Sequence, residues 1–211
     1  MADLRKAGPL AALGAGLAAA IAAIVLNVVD VEGGFVDHRD DPGGATNHGI
    51  TEKVAREHGY TGDMRVLPVE EAVDIYGVTF VVKPGFDRII ERSLALGEET
   101  VDQGVNFGPH RPSCWLQTAL NSLNRQGRDY RDLAVDCRIG PATMAAYDAL
   151  ARKRGATKAC ELVLKLMEAQ QGAEYLRLTS VNPKLETFMP GWIDHRLGTV
   201  PIGRCREGGV N

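Results

Sequence analysis

Two carboxylates and a hydroxyl follow one another near the start of the chain with a spacing suited to acid–base chemistry. Eight residues separate Glu32 from Asp41, and four separate Asp41 from Thr46. Cleavage of a glycosidic bond needs one carboxyl group that protonates the leaving oxygen, and a second group that stabilises positive charge or activates water. Glu32, Asp41 and Thr46 are therefore candidate catalytic residues.

The neighbours of these residues favour the same chemistry. Val31 and Phe35 flank Glu32, and apolar surroundings favour the protonated form of a carboxyl group. Asp41 lies in the turn-forming run Asp-Asp-Pro-Gly-Gly at 40–44, where glycine lets the backbone approach a sugar closely. The simpler interpretation is that Glu32 is a solvated charge at a helix end and Asp41 an ordinary turn residue.

The motifs around the candidate residues resemble a known family. Glu-Gly-Gly-Phe at 32–35, followed by Asp-x-Gly-Gly-x-Thr-Asn-x-Gly-Ile-Thr at 41–51, resembles glycoside hydrolase family 108, the bacterial and phage N-acetylmuramidases. Phe35 stands where the family has Tyr. The resemblance covers roughly residues 30–197. It implies that Glu32 is the general acid and that the fold is lysozyme-like.

Three further comparisons with known families concern the attacking water, a sugar-stacking ring and a wall-binding loop. The Glu32–Asp41–Thr46 order is similar to the Glu–Asp–Thr set of phage lysozymes, although the last gap there is usually five; this implies that Asp41 and Thr46 position the attacking water. The family usually has Tyr-Trp near Thr79-Phe80; here only Phe80 is aromatic, so a sugar-stacking ring is either missing or replaced by Trp115. Residues 136–143 are similar to the Asp-Gly-x-Ile-Gly-x-x-Thr loop of peptidoglycan-binding domains, with Cys137 for Gly. The alternative is a loop that only begins the next helix.

An apolar N-terminal segment precedes the candidate site. Leu10–Val29 contains 20 residues without a charge, enough for a helix of about 30 Å. Basic residues before it and acidic residues after it place the body outside the cytoplasm. We expect a weakly held membrane span that resembles the signal-anchor-release type of endolysin. The alternatives are a signal peptide cleaved after Ala20 or Ala22 and a buried core helix.

The remaining sequence predicts a mainly α fold, lysozyme-like, with the N-terminal apolar helix and at most a small β-hairpin near the active site. Apolar spacing predicts short helices from Thr51 to His58, from Pro68 to Gly77 and from Phe86 to Gly97. Val78–Val82 and the region around Asp40–Ile50 are the strand candidates. We predict a signal segment at 1–29, a catalytic region at 30–100 and a helical region resembling a peptidoglycan-binding domain at 101–211.

Composition excludes several other classes. The formal net charge of −3 argues against a nucleic-acid partner. The four cysteines lie 23, 23 and 45 residues apart without a Cys-x-x-Cys motif, so they fit no metal template, and three disulfide pairings or free thiols stay open. There is no His-Glu-x-x-His or phosphate-binding loop. We expect neither a metal nor a cofactor.

The resemblance implies an endolysin that hydrolyses the β-1,4 bond between N-acetylmuramic acid and N-acetylglucosamine in peptidoglycan and so lyses the host cell. Its partners would be peptidoglycan and, before release, the inner membrane through residues 10–29. We expect the soluble form to be a monomer, first at the periplasmic face of the host inner membrane and then in the periplasm. The alternatives are a non-catalytic peptidoglycan-binding protein, a secreted muramidase toxin and a lytic transglycosylase.

Overall fold

The computed structural model describes residues 9–32, 35–36 and 45–210 of the 211-residue chain. Over these residues the protein is mainly helical, with one two-stranded antiparallel sheet. The predicted fold class, mainly α with a small hairpin, is therefore confirmed. The chain divides into two compact units, residues 1–83 and residues 84–211. The predicted boundaries near residues 29 and 100 stay predictions.

The first unit combines short helices with the hairpin. Its described elements are a 3-10 helix at Pro9–Leu13, α1 at Ala15–Glu32, β1 at Thr46–Asn47, β2 at Ile50–Thr51, α2 at Glu52–Glu57, a 3-10 helix at Met64–Val66, α3 at Val69–Tyr76 and a π-helical segment at Gly77–Val82. Thr51 is the N-cap of α2 and His58 its C-cap, as the sequence predicts.

Helix α1 supplies much of the core of the first unit, where it packs against α3 and the π-helical segment. Its buried apolar side chains recur at helical spacing: Leu17, Ile21, Ile24 and Val25. A Cβ atom on Gly77 would lie 2.7 Å from Leu10 Cδ1, so the absence of a side chain at Gly77 allows close packing against the N-terminal 3-10 helix.

The apolar run Leu10–Val29 differs from the predicted membrane span. It is divided between a 3-10 helix and α1, with Gly14 between them at φ 88°. The uncharged part of α1 extends only about 22 Å, less than the roughly 30 Å of a bilayer's hydrocarbon core. In the described part of the chain, no helix has both the length and the apolar character needed to cross a membrane. The interpretation of this segment as a core helix matches the structure better.

The strand predicted at Val78–Val82 is wrong, because these residues lie in the π-helical segment that continues α3. The amide of Lys83 donates to the carbonyl oxygen of Val78 at 2.9 Å, a five-residue step. Val81 is completely buried. Tertiary packing here outweighs the strand preference of valine and threonine.

The second unit is a helical assembly around one long helix. Its described elements are α4 at Asp87–Ile90, α5 at Leu94–Phe107, α6 at His110–Leu123, α7 at Pro141–Arg154, α8 at Ala156–Val181, a 3-10 helix at Pro183–Phe188, α9 at Met189–Arg196 and a 3-10 helix at Ile202–Arg206. Helix α8 packs against α5, α6 and α7. Disulfides Cys114–Cys137 and Cys160–Cys205 pair all four cysteines.

The helix predicted from Phe86 to Gly97 is instead two helices. Ser93 separates α4 from α5, and its Oγ accepts a hydrogen bond from the amide of Leu96 as an N-cap. Gly97 does not end a helix but lies inside α5. A Cβ atom there would lie 3.0 Å from Ile90 Cα, so the glycine permits close packing of α4 on α5.

Candidate functional site

The three candidate catalytic residues are defined to different degrees. Glu32 is the last residue of α1, but its side chain lies outside the described part of the structure, as does the whole of Asp41. Thr46 is half-buried at the start of β1. The structure therefore gives the backbone position of Glu32 and the full position of Thr46, and the catalytic roles stay predictions.

A backbone bridge connects the segment after α1 to Thr46. Val36 and Thr46 exchange two hydrogen bonds, each with an N–O distance of 2.8 Å. This pairing closes the loop that contains Asp41. Because four residues span at most about 14 Å, the end of α1 cannot lie farther than that from Val36. The backbone end of α1 and the strand that carries Thr46 therefore lie in the same part of the first unit.

A two-residue turn fixes the hairpin that carries Thr46. Thr46 pairs with Thr51 and Asn47 pairs with Ile50, so His48 and Gly49 form the turn. Both have positive φ, 51° and 72°, as a type I′ turn requires. The sequence signal for this turn is glycine at its second position. His48 is thus a turn residue.

The hairpin is anchored on both sides. The side-chain amide of buried Asn47 donates to the carbonyl oxygen of Met64 at 2.7 Å. The amide of Glu52 donates to the carbonyl oxygen of Ala45 at 2.7 Å, and Thr51 Oγ1 accepts from the amide of Val54 at 3.4 Å. These bonds hold the backbone around Thr46 on rigid elements, which is what a positioned hydroxyl needs.

Three aromatic side chains that the sequence singles out take different positions. Phe35 is 40% exposed, which leaves ring surface on which a sugar could stack. Phe80 stacks on Tyr76 with ring centroids 5.3 Å apart. Trp115 is half-buried and contacts Phe107 at 5.2 Å. Its use as a replacement stacking ring stays a prediction.

In the second unit, the loop at Asp136–Thr143 is organised by a single glutamine. The Gln117 side chain is buried; its amide nitrogen donates to Asp136 Oδ1 at 2.8 Å and to the carbonyl oxygen of Arg138 at 3.1 Å, and its oxygen accepts from the amide of Cys137 at 2.7 Å. The hydrogen bond from Gln117 lowers the pKa of Asp136. These contacts explain the loop's conformation by internal bonding.

Sequence reasoning missed two polar features. One is Gln117, a polar residue on the buried face of α6. Its position among apolar residues of that face is the signal from which the sequence could have predicted a structural role. The other is a buried group in which Gln103 Nε2 donates to Glu99 Oε1 at 2.7 Å and to Gln171 Oε1 at 3.1 Å. Desolvation raises the pKa of Glu99 to about 8, helped by the charges of Asp102 and Glu168.

One group of potential metal ligands occurs among residues 9–32, 35–36 and 45–210. It consists of His110, Cys114 and Cys137. The two sulfurs form a disulfide, so they are not thiolate ligands in this structure. The expectation of a metal-free, cofactor-free protein stays a prediction.

The structure shows a mainly helical protein of two units, and comparisons with known proteins identify its class. Residues 25–108 match the family described as glycosyl hydrolase 108, and residues 111–197 match the one described as a predicted peptidoglycan domain. Residues 25–108 therefore resemble a glycosyl hydrolase 108 domain, and the chain is a glycoside hydrolase that acts on peptidoglycan.

Solved structures include similar chains. One is the structure of Brucella abortus SagA, which has 25% sequence identity and a TM-score of 0.53; the match covers 90% of this chain and 92% of that one. No curated protein sequence matches this chain significantly.

Proposed function

We propose that the enzyme is an N-acetylmuramidase that cleaves the β-1,4 bond between N-acetylmuramic acid and N-acetylglucosamine. Glu32 donates the proton to the leaving oxygen, and Asp41 and Thr46 position the water that attacks the sugar. The main support is the family match over residues 25–108, which includes the Glu-Gly-Gly-Phe motif. The bridge between Val36 and Thr46 agrees with a single site.

The test is hydrolysis of purified peptidoglycan by Glu32→Gln, followed as loss of turbidity. We expect a rate about 10² to 10⁴ times lower than wild type, because the amide cannot supply the proton. Glu57→Gln is the matched control: Glu57 is exposed at the end of α2 in the same unit, and this variant should keep full activity. Wild-type activity in a correctly folded Glu32→Gln variant would refute the role of Glu32.

The products separate this proposal from its alternatives. A muramidase releases fragments that end in reducing N-acetylmuramic acid, which borohydride reduction and mass spectrometry detect. A lytic transglycosylase would release an anhydro-sugar, and a non-catalytic binding protein would release no fragments. A secreted toxin would give the same products as an endolysin, so only its biological target distinguishes it.

We also propose that hydrolysis takes place in an oxidising compartment such as the periplasm and causes cell lysis there. The observation that supports this is the pairing of all four cysteines in two disulfides, since disulfides persist in such compartments. Expression in Escherichia coli with a fused export signal should lyse cells, whereas cytoplasmic expression should not. Equal lysis from both, or none after export, would contradict this proposal.

A further inference from the structure

Five aromatic side chains of the second unit form a continuous series of ring contacts. Phe107 contacts Trp115 at 5.2 Å and Tyr175 at 5.1 Å between ring centroids. Tyr175 contacts Trp192 at 4.9 Å, and Trp192 contacts Phe188 at 6.2 Å. The series includes both tryptophans of the chain and leads from the helical core to the surface.

The outer three rings are nearly parallel, and their exposure increases outwards. The planes of Tyr175 and Trp192 differ by 18°, and those of Trp192 and Phe188 by 26°. Tyr175 is buried, Trp192 is half-buried and Phe188 is 56% exposed. A ring recruited only for core packing would be covered, whereas Phe188 presents much of its surface to solvent.

Hydrogen bonds hold the elements under this ring. Gln171 Nε2 donates to the hydroxyl of Tyr175 at 3.2 Å and to the carbonyl oxygen of Arg196, the last residue of α9, at 3.0 Å. Asn182 Oδ1 accepts from the amide of Lys184 and caps the 3-10 helix that carries Phe188. The exposed ring is therefore held in position before a ligand binds, which limits the entropy lost on binding.

The family match of the second unit indicates what could cover this ring. Residues 111–197, which include Phe188 and Trp192, match a predicted peptidoglycan domain. The 3-10 helix that carries Phe188 has one exposed cation, Lys184, and one exposed carboxylate, Glu186, so charge does not select the ligand. A flat, exposed apolar ring suits the apolar face of a sugar in a glycan strand.

We propose that Phe188, supported by Trp192, is a platform on which a sugar ring of the peptidoglycan glycan strand stacks. The apolar face of a pyranose and the face of an aromatic ring are complementary in shape and polarity. This proposal rests on the proposed function, because it takes the substrate of the hydrolase as its ligand. It assigns binding to a surface separate in sequence from Glu32.

The experiment measures binding of the full-length protein to purified peptidoglycan sacculi by co-sedimentation. The Glu32→Gln background keeps the sacculi intact. Phe188→Ala should weaken binding about five- to tenfold, as expected for loss of one ring stack, whereas Phe188→Trp should retain it. Leu176→Ala is the matched control, since Leu176 is similarly exposed but is outside the ring series; it should bind like the parent protein.

A soluble probe tests the ring stack directly. N,N′,N″-triacetylchitotriose presents pyranose rings and carries no carboxyl group, so its binding reports stacking without charge. The sugar should change the fluorescence of Trp192 in the parent protein, and this change should be lost in Phe188→Ala.

Three results would overturn the proposal. They are unchanged binding by Phe188→Ala, equal losses in Phe188→Ala and Leu176→Ala, and a Phe188-dependent dimer or lipid-vesicle binding in place of sugar binding. Failure of the proposed catalytic mechanism is a different result. It would appear as hydrolysis by Glu32→Gln, whatever the outcome of the chitotriose titration.

Discussion

Backbone hydrogen bonds fix the position of Thr46, one of the candidate catalytic residues. Its amide and carbonyl groups pair with Val36, and its Cα lies opposite that of Thr51. A β-branched side chain on a fixed strand has few χ1 rotamers. A fixed position of this side chain would lower the entropy cost of the proposed role, which is to hold the attacking water.

Removal of this hydroxyl group tests the proposed role. Thr46→Val keeps the shape of the side chain, and we expect kcat for peptidoglycan hydrolysis to fall about 10- to 100-fold while thermal stability changes little. Thr46→Ser retains the hydroxyl and should keep most of the activity. If both variants lose activity equally, or if only KM changes, Thr46 contributes to folding or substrate binding instead.

Individual residues also mark the limit of prediction from sequence. The Glu32–Asp41–Thr46 order and the family resemblance were available from the sequence. The disulfide partner of Cys137 was not, because pairing depends on distances in the folded chain. Cys137 stands where the similar loops have glycine. Its φ of 60° is a left-handed conformation that glycine adopts at the least cost, which explains the glycine in those loops. The bond to Cys114 and the contact with Gln117 hold the cysteine in this unusual conformation.

At the level of elements, the predictions that failed are those where packing changes the meaning of a local signal. Gly97 resembles a helix end but allows α4 to pack on α5, and Val78–Val82 resembles a strand but is π-helical. Helix α5 shows another consequence of packing, because its buried face includes the polar residues Glu99 and Gln103, which are fully buried. The predictions of α2 and of the hairpin rest on cap and turn signals between neighbouring residues, and both are confirmed.

Glu99 makes the stability of α5 and its neighbours dependent on pH. Burial raises its pKa from 4.5 to about 8, so the folded state holds a proton that the unfolded chain releases. The stabilisation is complete below pH 4.5 and is lost as the pH rises through about 8, by up to about 1.4 kcal/mol per pH unit. We expect Glu99→Gln to abolish this loss. Its melting temperature should exceed that of wild type increasingly between pH 5 and pH 9.

A surface carboxylate provides the control for this measurement. Glu71 is exposed in the first turn of α3, so Glu71→Gln should follow the wild-type pH profile. Parallel profiles for wild type and Glu99→Gln would show that Glu99 is ionised in the folded protein at neutral pH.

Over the whole molecule, the two units are stabilised in different ways. Residues 1–83 contain no cysteine and depend on an apolar core to which α1 contributes four buried aliphatic side chains. Both disulfides lie in residues 84–211, where they tie the loop before α7 to α6 and the C-terminal 3-10 helix to α8. Hydropathy does not distinguish lipid from protein as the apolar surroundings of the N-terminal run, whereas the structure packs α1 against α3.

This difference predicts that reduction destabilises one unit selectively. The disulfides close loops of 23 and 45 residues, and each should stabilise residues 84–211 by about 3 to 4 kcal/mol through the entropy of the unfolded chain. A phosphine reductant should therefore increase hydrogen exchange in α6, α7 and α8 while exchange in α1 and α3 stays unchanged. A variant with all four cysteines replaced by serine should resemble the reduced protein and should not respond to reductant. Increased exchange throughout both units would show instead that the chain unfolds as one cooperative body.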